Sequence, residues 1–320
     1  MLYVAIAVFA VVISLANAAA QSFPSKTIRM VVPTPPSGSA DILGRLVAEN
    51  LQKRLGQNVI IDNRPGAGQT IGTTAVARSE PDGHTLLLVT VSYVINPAIY
   101  PKLPYDPNTD LTGVAMVGSG PLLLTVHPSL PVRSVKDLIA LARARAGNLD
   151  YGSAGAGTIP HLAAELFAGY AKVSLVHVPY KGVAPAVTAT VAGEVPMLFA
   201  STPAVGPMIK AQRLRALAVT TAKRAAFMPE LPTVAESGVP GYDVATWWGV
   251  LAPGKTPPAI VNRLNDEIRK ILASDAAASV IVANGAVPEL HMTPEQYNTL
   301  LKSEIAGWKK IVHERNIKIN

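Results

Sequence analysis

Twice in this chain a short apolar run breaks into a loop of glycine and serine and restarts at once with helical spacing. The clearer copy is Tyr151-Gly-Ser-Ala-Gly-Ala-Gly-Thr-Ile-Pro-His161, leading into Leu162 to Tyr170. The other starts with the β-branched run Lys26 to Pro33 and passes through Thr34-Pro-Pro-Ser-Gly-Ser-Ala-Asp41. It continues with Ile42, Leu43, Leu46, Val47, Leu51 and Leu55 until Gly56 stops it. Each copy predicts a strand, a tight loop and a helix start. The first turn of a helix leaves its N–H donors unpaired and its dipole makes that end partly positive, so an anionic group there meets donors and charge together. Ser37, Gly38 and Ser39 then correspond to Ser153, Gly155 and Thr158, with Asp41 and Thr158 as N-caps. Two ordinary βα turns and two halves of one anion site are both open readings at this point.

The rest of the chain repeats the alternation. Val59 to Asp62 reads as a strand, Thr73 to Arg78 as a helix and Thr85 to Thr90 as a buried strand, which implies a parallel sheet with helices on both faces. Prolines at 97, 101, 104 and 107 predict irregular surface chain from Pro97 to Asp110. Val114 to Gly118 and Leu122 to Val126 read as strands that carry the chain into a second lobe. There a helix over Ser134 to Ala146 is followed by strands at Ser174–Val178, Val195–Phe199 and Arg215–Thr220, with a helix near Ala184–Val191. Thr233-Val-Ala-Glu236 spells a capping box for a short helix that Gly238 ends. Val244 to Leu251, with Trp247 and Trp248, reads as a strand returning to the first lobe. Helices follow over Pro257–Leu272, Ala276–Ala283 and Thr293 to about Arg315.

Length and composition fit this plan. The first twenty residues carry no charge and end in Ala16-Asn-Ala-Ala-Ala20, as an apolar secretory leader with a small-residue cleavage site does. No Lys or Arg stands near Met1, so the expectation is an atypical leader or a start further upstream. Cleavage near Gln21 leaves about 300 residues, more than one hydrophobic core usually organises, so two lobes are expected. There is no cysteine, which excludes disulfide and thiolate chemistry. The net charge of +7 is scattered and forms no basic run with interleaved aromatics, so a nucleic-acid partner is not expected.

Other motifs fail on their chemistry. Gly249-Val-Leu-Ala-Pro-Gly-Lys-Thr256 spells a phosphate loop, but Pro257 and Pro258 remove the amides such a loop needs, so Thr256 is expected to cap a structural helix instead. Gly66, Gly68 and Gly72 miss the dinucleotide spacing by one residue. No nucleophile elbow occurs, and the six histidines include no pair at metal-ligand spacing. His161 is expected to be packed or solvated structure, and the two tryptophans to be core, hinge or cleft wall.

Many further motifs stand in a familiar order. They are Thr27 to Pro33 with Pro35 to Asp41, Asn63 to Gly68, Pro81 to Gly83, Asn96-Pro97 with Tyr100 to Asp106, Tyr151 to Gly155, His177 to Gly182, Leu214 to Thr220 and Pro232 to Glu236. Together they resemble the Bug family, the extracytoplasmic solute receptors of tripartite tricarboxylate transporters. The resemblance implies an α/β protein with a type II periplasmic-binding-protein fold, two α/β lobes and a ligand cleft between them. Lobe 1 would be 21–121 with 249–320, and lobe 2 would be 122–248, after a leader over 1–20. It further implies a periplasmic receptor that captures a small organic carboxylate and passes it to membrane subunits of a transporter. Such a receptor works as a monomer without cofactor, metal or catalytic residue. The ligand-binding positions carried over are Pro36, Ser37, Gly38, Ser39 and Asp41 in one loop, Ser153, Ala154, Gly155, Gly157 and Thr158 in the other, and Ala200. The chain departs from the family in two places: many members have Phe and Gly in the first loop where this chain has Thr34 and Ser37, and Asp after the Phe of the strand near 199 where it has Ala200. The competing readings are a secreted serine hydrolase acting on esters through Ser153 or Ser37, and a ligand sensor without transport.

Overall fold

The computed structural model describes residues 23–145 and 147–314; the leader, its expected cleavage point, Ala146 and the residues after Glu314 lie outside them. The first lobe opens with β1 (Ile28–Val32), α1 (Ser39–Leu55), β2 (Val59–Asn63), α2 (Thr70–Ala77), β3 (Thr85–Thr90) and α3 (Ser92–Ile99). The long strand β4 (Leu111–Val126) leads to α4 (Val135–Arg145), β5 (Asp150–Ser153), α5 (Ile159–Ala171), β6 (Val176–Pro179), α6 (Val183–Ala192), β7 (Met197–Ser201), α7 (Thr202–Lys210) and β8 (Arg215–Val219). The chain returns through β9 (Ala245–Pro253) to α8 (Pro258–Leu272), α9 (Asp275–Ala283), β10 (Val287–Pro288) and α10 (Pro294–Glu314).

Strand order is β2-β1-β3-β9-β4-β7-β5-β6, with β8 and β10 also on β4. The parallel sheet expected from the first three strands is present, with β1, β2 and β3 parallel, and β9 joins it running antiparallel to both β3 and β4. The two predicted strands at 114–126 are one continuous strand. Its residues up to Pro121 pair with β9, and from Leu122 onward it pairs with β7 and β8. One strand thus serves the sheets of both lobes.

Both faces of each sheet are covered, which is why the strands read as unbroken apolar runs. Along β3, Leu87 and Val89 join a cluster that spans both lobes, whereas Leu86 and Leu88 pack with α1 and α8 on the other face. Trp247 and Trp248, adjacent on β9, are both buried and divide between these same two clusters. In the second lobe Leu123, Leu198 and Ala200 face a third cluster with α6 and α7.

Thr220 holds the joint. It is fully buried, and its hydroxyl accepts from the Leu122 amide at 2.8 Å and donates to the Val244 carbonyl at 2.7 Å. Its own amide and carbonyl bond to Leu122 and Val244 as well. Leu122 stands where β4 changes partners from β9 to β7 and β8, and Val244 immediately precedes β9.

Several local expectations need correction. Helix α3 runs to Ile99 with Pro97 inside it, and Tyr105 is buried, so 97–110 is not simply loose surface chain. The capping box forms, with Thr233 N donating to Glu236 at 3.0 Å and Glu236 N to Thr233 Oγ1 at 2.9 Å, yet only a turn follows. Thr256 does not cap α8; its hydroxyl donates to the Pro253 carbonyl. The glycines of the phosphate-loop spelling are packing glycines. A Cβ on Gly249 would lie 1.9 Å from the Tyr297 hydroxyl, and one on Gly254 would lie 1.9 Å from the Thr109 carbonyl.

Candidate functional site

Strand direction decides where the two Gly/Ser loops open. β1 runs the same way as β4, toward the second lobe, while β5 and β7 run against it, toward the first. The C-terminal end of β3, Thr90, pairs with Trp248 beside Gly118, and the C-terminal end of β7, Ser201, pairs with Leu122. The loops after β1 and β5 therefore leave their sheets at the joint, each from the carboxyl ends of its strands. That is the place where open α/β sheets bind ligands.

The loops have one backbone design. Ser37 and Gly157 are left-handed, with φ of 69° and 77°. The next residues are extended N-caps, Gly38 at φ −83°, ψ 167° and Thr158 at φ −76°, ψ 159°. Three residues beyond the cap, a side chain reaches back to the left-handed residue: Ser37 N donates to Asp41 Oδ2 at 3.0 Å, and Gly157 N donates to His161 Nδ1 at 3.0 Å. Asp41 is thus not the N-cap of α1 but sits inside its first turn. Thr158 occupies the N-cap position of α5 without a capping bond, its hydroxyl donating to the Gly155 carbonyl at 2.7 Å.

Each loop rests on buried polar groups. Asp41 also accepts from Arg45 Nε at 3.0 Å and from Asn63 Nδ2 at 2.9 Å, and Asn63 donates to the Thr34 carbonyl. Burial works to raise the Asp41 pKa, but the bonds from Arg45, Ser37 and Asn63 outweigh it and hold the carboxyl below its ordinary range. Under the second loop, the His161 and His177 rings stack with centroids 4.1 Å apart, and Tyr151 stacks on His177 at 5.1 Å. The Tyr151 hydroxyl donates to Glu165 at 2.6 Å. Ser153 Oγ lies 2.6 Å from His177 Nε2 and accepts from the Gly155 amide at 3.0 Å. Burial, with His177 adding to it, lowers the His161 pKa to about 4, and burial lowers that of His177.

These bonds sort the expected site residues. Pro36, Ser37 and Gly38 are exposed; Ser39, Ala154, Gly155 and Thr158 are half-buried. Asp41 and Ser153 are buried and direct their polar atoms into their own loops, and Gly157 is buried with its amide on His161. Ala200 is fully buried against Leu123 and Val205, one residue before the end of β7. Among the described residues the amides of Gly38, Ser39 and Ala40 in one loop, and of Ala154, Ala156 and Ile159 in the other, have no acceptor within the protein. Sequence reasoning set His161 aside as structure, took Tyr151 only as the start of its stretch, and gave His177 and Asn63 no part in holding the loops. The available signal was the shared four-residue spacing, Ser37 to Asp41 and Gly157 to His161. A concavity of about 560 Å³ lined by Pro97, Tyr100, Asp106 and Lys309 includes none of the loop residues.

Residues 43–317 match the family model described as tripartite tricarboxylate transporter family receptor. The chain belongs to that family. This receptor is 38% identical over 306 residues to protein BugT of Bordetella pertussis, an alignment covering 95% of this chain and 94% of BugT. Its fold is the two-lobed α/β periplasmic-binding-protein fold. It superposes on R. palustris Rpa4515 with adipate at a TM-score of 0.87 and 39% identity, over 92% of this receptor and 99% of that chain. It matches MatC (Rpa3494) of Rhodopseudomonas palustris with bound malate at a TM-score of 0.82 and 31% identity, over 91% of this receptor and all of MatC. No helix among the described residues is long and apolar enough to cross a membrane.

Proposed function

We propose that the receptor is exported to the periplasm, captures a small organic carboxylate between its lobes and presents it, as a monomer, to the membrane subunits of a transporter. The observation that carries this reading is the pair of matched loops at the joint, whose unpaired amides lie at helix starts on opposing lobes. The neighbours solved with adipate and with malate support a dicarboxylate. The proposed ligand contacts are the amides of Gly38, Ser39 and Ala40 and of Ala154, Ala156 and Ile159, with Pro36, Gly155 and Thr158 shaping the walls. Ala200 would leave the end of β7 apolar where other members have an acid. The change of partners on β4 supports a lobe boundary at 121/122, and the pairing of Ala245 with Pro121 favours a return nearer 245 than 249.

A few charge-assisted hydrogen bonds, each contributing about 1.5–3 kcal/mol, reach the roughly 8 kcal/mol of micromolar affinity after ordering costs. Capture needs no covalent step. A thermal-shift screen of mono-, di- and tricarboxylates tests it, because a specific ligand stabilises the native state by mass action. A panel in which no carboxylate raises the melting temperature sinks the reading. Binding without carboxylate uptake in cells that carry the transporter would mark a sensor instead.

One observation favours the hydrolase alternative: Ser153 and His177 are bonded as a nucleophile and base would be. Against it, Ser153 is 1% exposed, and among the described residues no carboxylate bonds to His177. Turnover of generic esters that disappears in Ser153→Ala would reinstate it.

A further inference from the structure

The two loops share a backbone but not an acceptor, and the difference lies in charge. In the first lobe the acceptor for the left-handed amide is Asp41, and Arg45, one helical turn on, neutralises it at 3.0 Å. In the second lobe the acceptor is His161, and the residue one turn on is Glu165, whose carboxylate takes the Tyr151 hydroxyl. No cation forms an ion pair with Glu165 among the described residues. Arg143 of α4 donates to the Ala171 carbonyl at the far end of α5. His161 Nδ1 accepts a hydrogen bond from Gly157 N and so carries no proton itself, which fixes the neutral ring with its proton on Nε2. His161 is only 2% exposed.

We propose that His161 is a positioning residue of the ligand loop, and that it must be uncharged: it holds Gly157 as Asp41 holds Ser37 without placing an unmatched negative charge beneath amides that receive an anion. His177 backs it by stacking on its ring and by fixing Ser153, whose hydroxyl in turn orients the Gly155 amide. This inference rests on the carboxylate-capture reading for its ligand, and on the loop geometry alone for its mechanism.

Three variants separate charge from structure. His161→Asn keeps a neutral acceptor, His161→Asp keeps the acceptor but adds charge, and His161→Phe keeps a flat ring for His177 and removes the acceptor. Calorimetric titration with adipate and with malate at pH 7 is expected to leave His161→Asn within about fivefold of wild type. Affinity falls tenfold or more in both His161→Asp and His161→Phe. A purely structural cap makes the opposite prediction for the aspartate, because negative charge in the first turn of a helix is favourable. Full binding by His161→Asp, or by His161→Phe, overturns the proposal. Should wild type bind neither acid, the capture reading is the one in trouble, and hydrogen exchange in the unliganded protein then decides on positioning. Slow exchange of the Gly157 amide in wild type and His161→Asn with fast exchange in His161→Phe sustains the role, and equal exchange in all three removes it.

Discussion

At the scale of single residues, the loops are held from below by side chains whose polar atoms bond within the loops themselves. Asp41 gathers three donors, so Asp41→Ala leaves the Ser37 amide and Asn63 without their acceptor, and a loss of about 2–4 kcal/mol in urea-unfolding stability is expected. Because the carboxyl titrates below its ordinary 3.8, its contribution is fully present above that pH and is lost as pH falls through the lowered value. The left-handed pair makes a second, opposite-signed prediction. Gly157→Ala forces a Cβ onto φ 77° and is expected to cost about 1–2 kcal/mol, while Ser37→Gly relieves φ 69° and should not destabilise. Thermal melts of the two variants distinguish them. The sequence showed that these residues open helices, but it did not show which atoms were already taken. Asp41 and Ser153 were legible as loop residues; that Asn63 and His177 turn them inward depends on contacts 22 and 24 residues away.

At the scale of elements, most strands and helices were legible because burial on both faces leaves continuous apolar runs of the right length. The failures have local causes. Gly118-Ser-Gly-Pro121 punctuates β4 as though it were a turn, but these small residues let other backbone come close: a Cβ on Gly120 would lie 2.0 Å from the Gly285 carbonyl. Helix α3 carries Pro97 in its last turn, and the proline run that starts there read as irregular chain although the helix ends two residues later. The capping box at 233–236 closed on itself with no apolar face long enough to extend it. Thr220 was legible only as a strand end. Thr220→Val removes its hydroxyl at nearly constant volume and strands the Leu122 amide and Val244 carbonyl, so a loss of about 2–3 kcal/mol is expected, with Thr220→Ser retaining most of it. Equal stability of the valine and serine variants would show that the hydroxyl carries nothing.

At the scale of the whole molecule, net charge and histidine burial set the response to solution conditions. A net charge of +7 draws an anion toward the protein before any contact forms, so the association rate of a dicarboxylate should fall as salt is raised while its dissociation rate changes little. Stopped-flow binding across ionic strength measures both. The depressed His161 pKa fixes the direction of a pH effect on folding: the buried neutral ring contributes fully above its ordinary 6.5, and the contribution fades as pH falls from there through about 4. Thermal melts should show wild type losing stability over that interval and His161→Asn losing less. The joint sets how the halves can move. A single buried hydroxyl ties the Leu122 amide, where β4 changes partners, to the Val244 carbonyl just ahead of β9, so sliding one past the other breaks both bonds while a rotation centred on Thr220 keeps them. Whatever reads the occupied state from outside would then sense an angle, largest at the rim of the jaws and vanishing at Thr220.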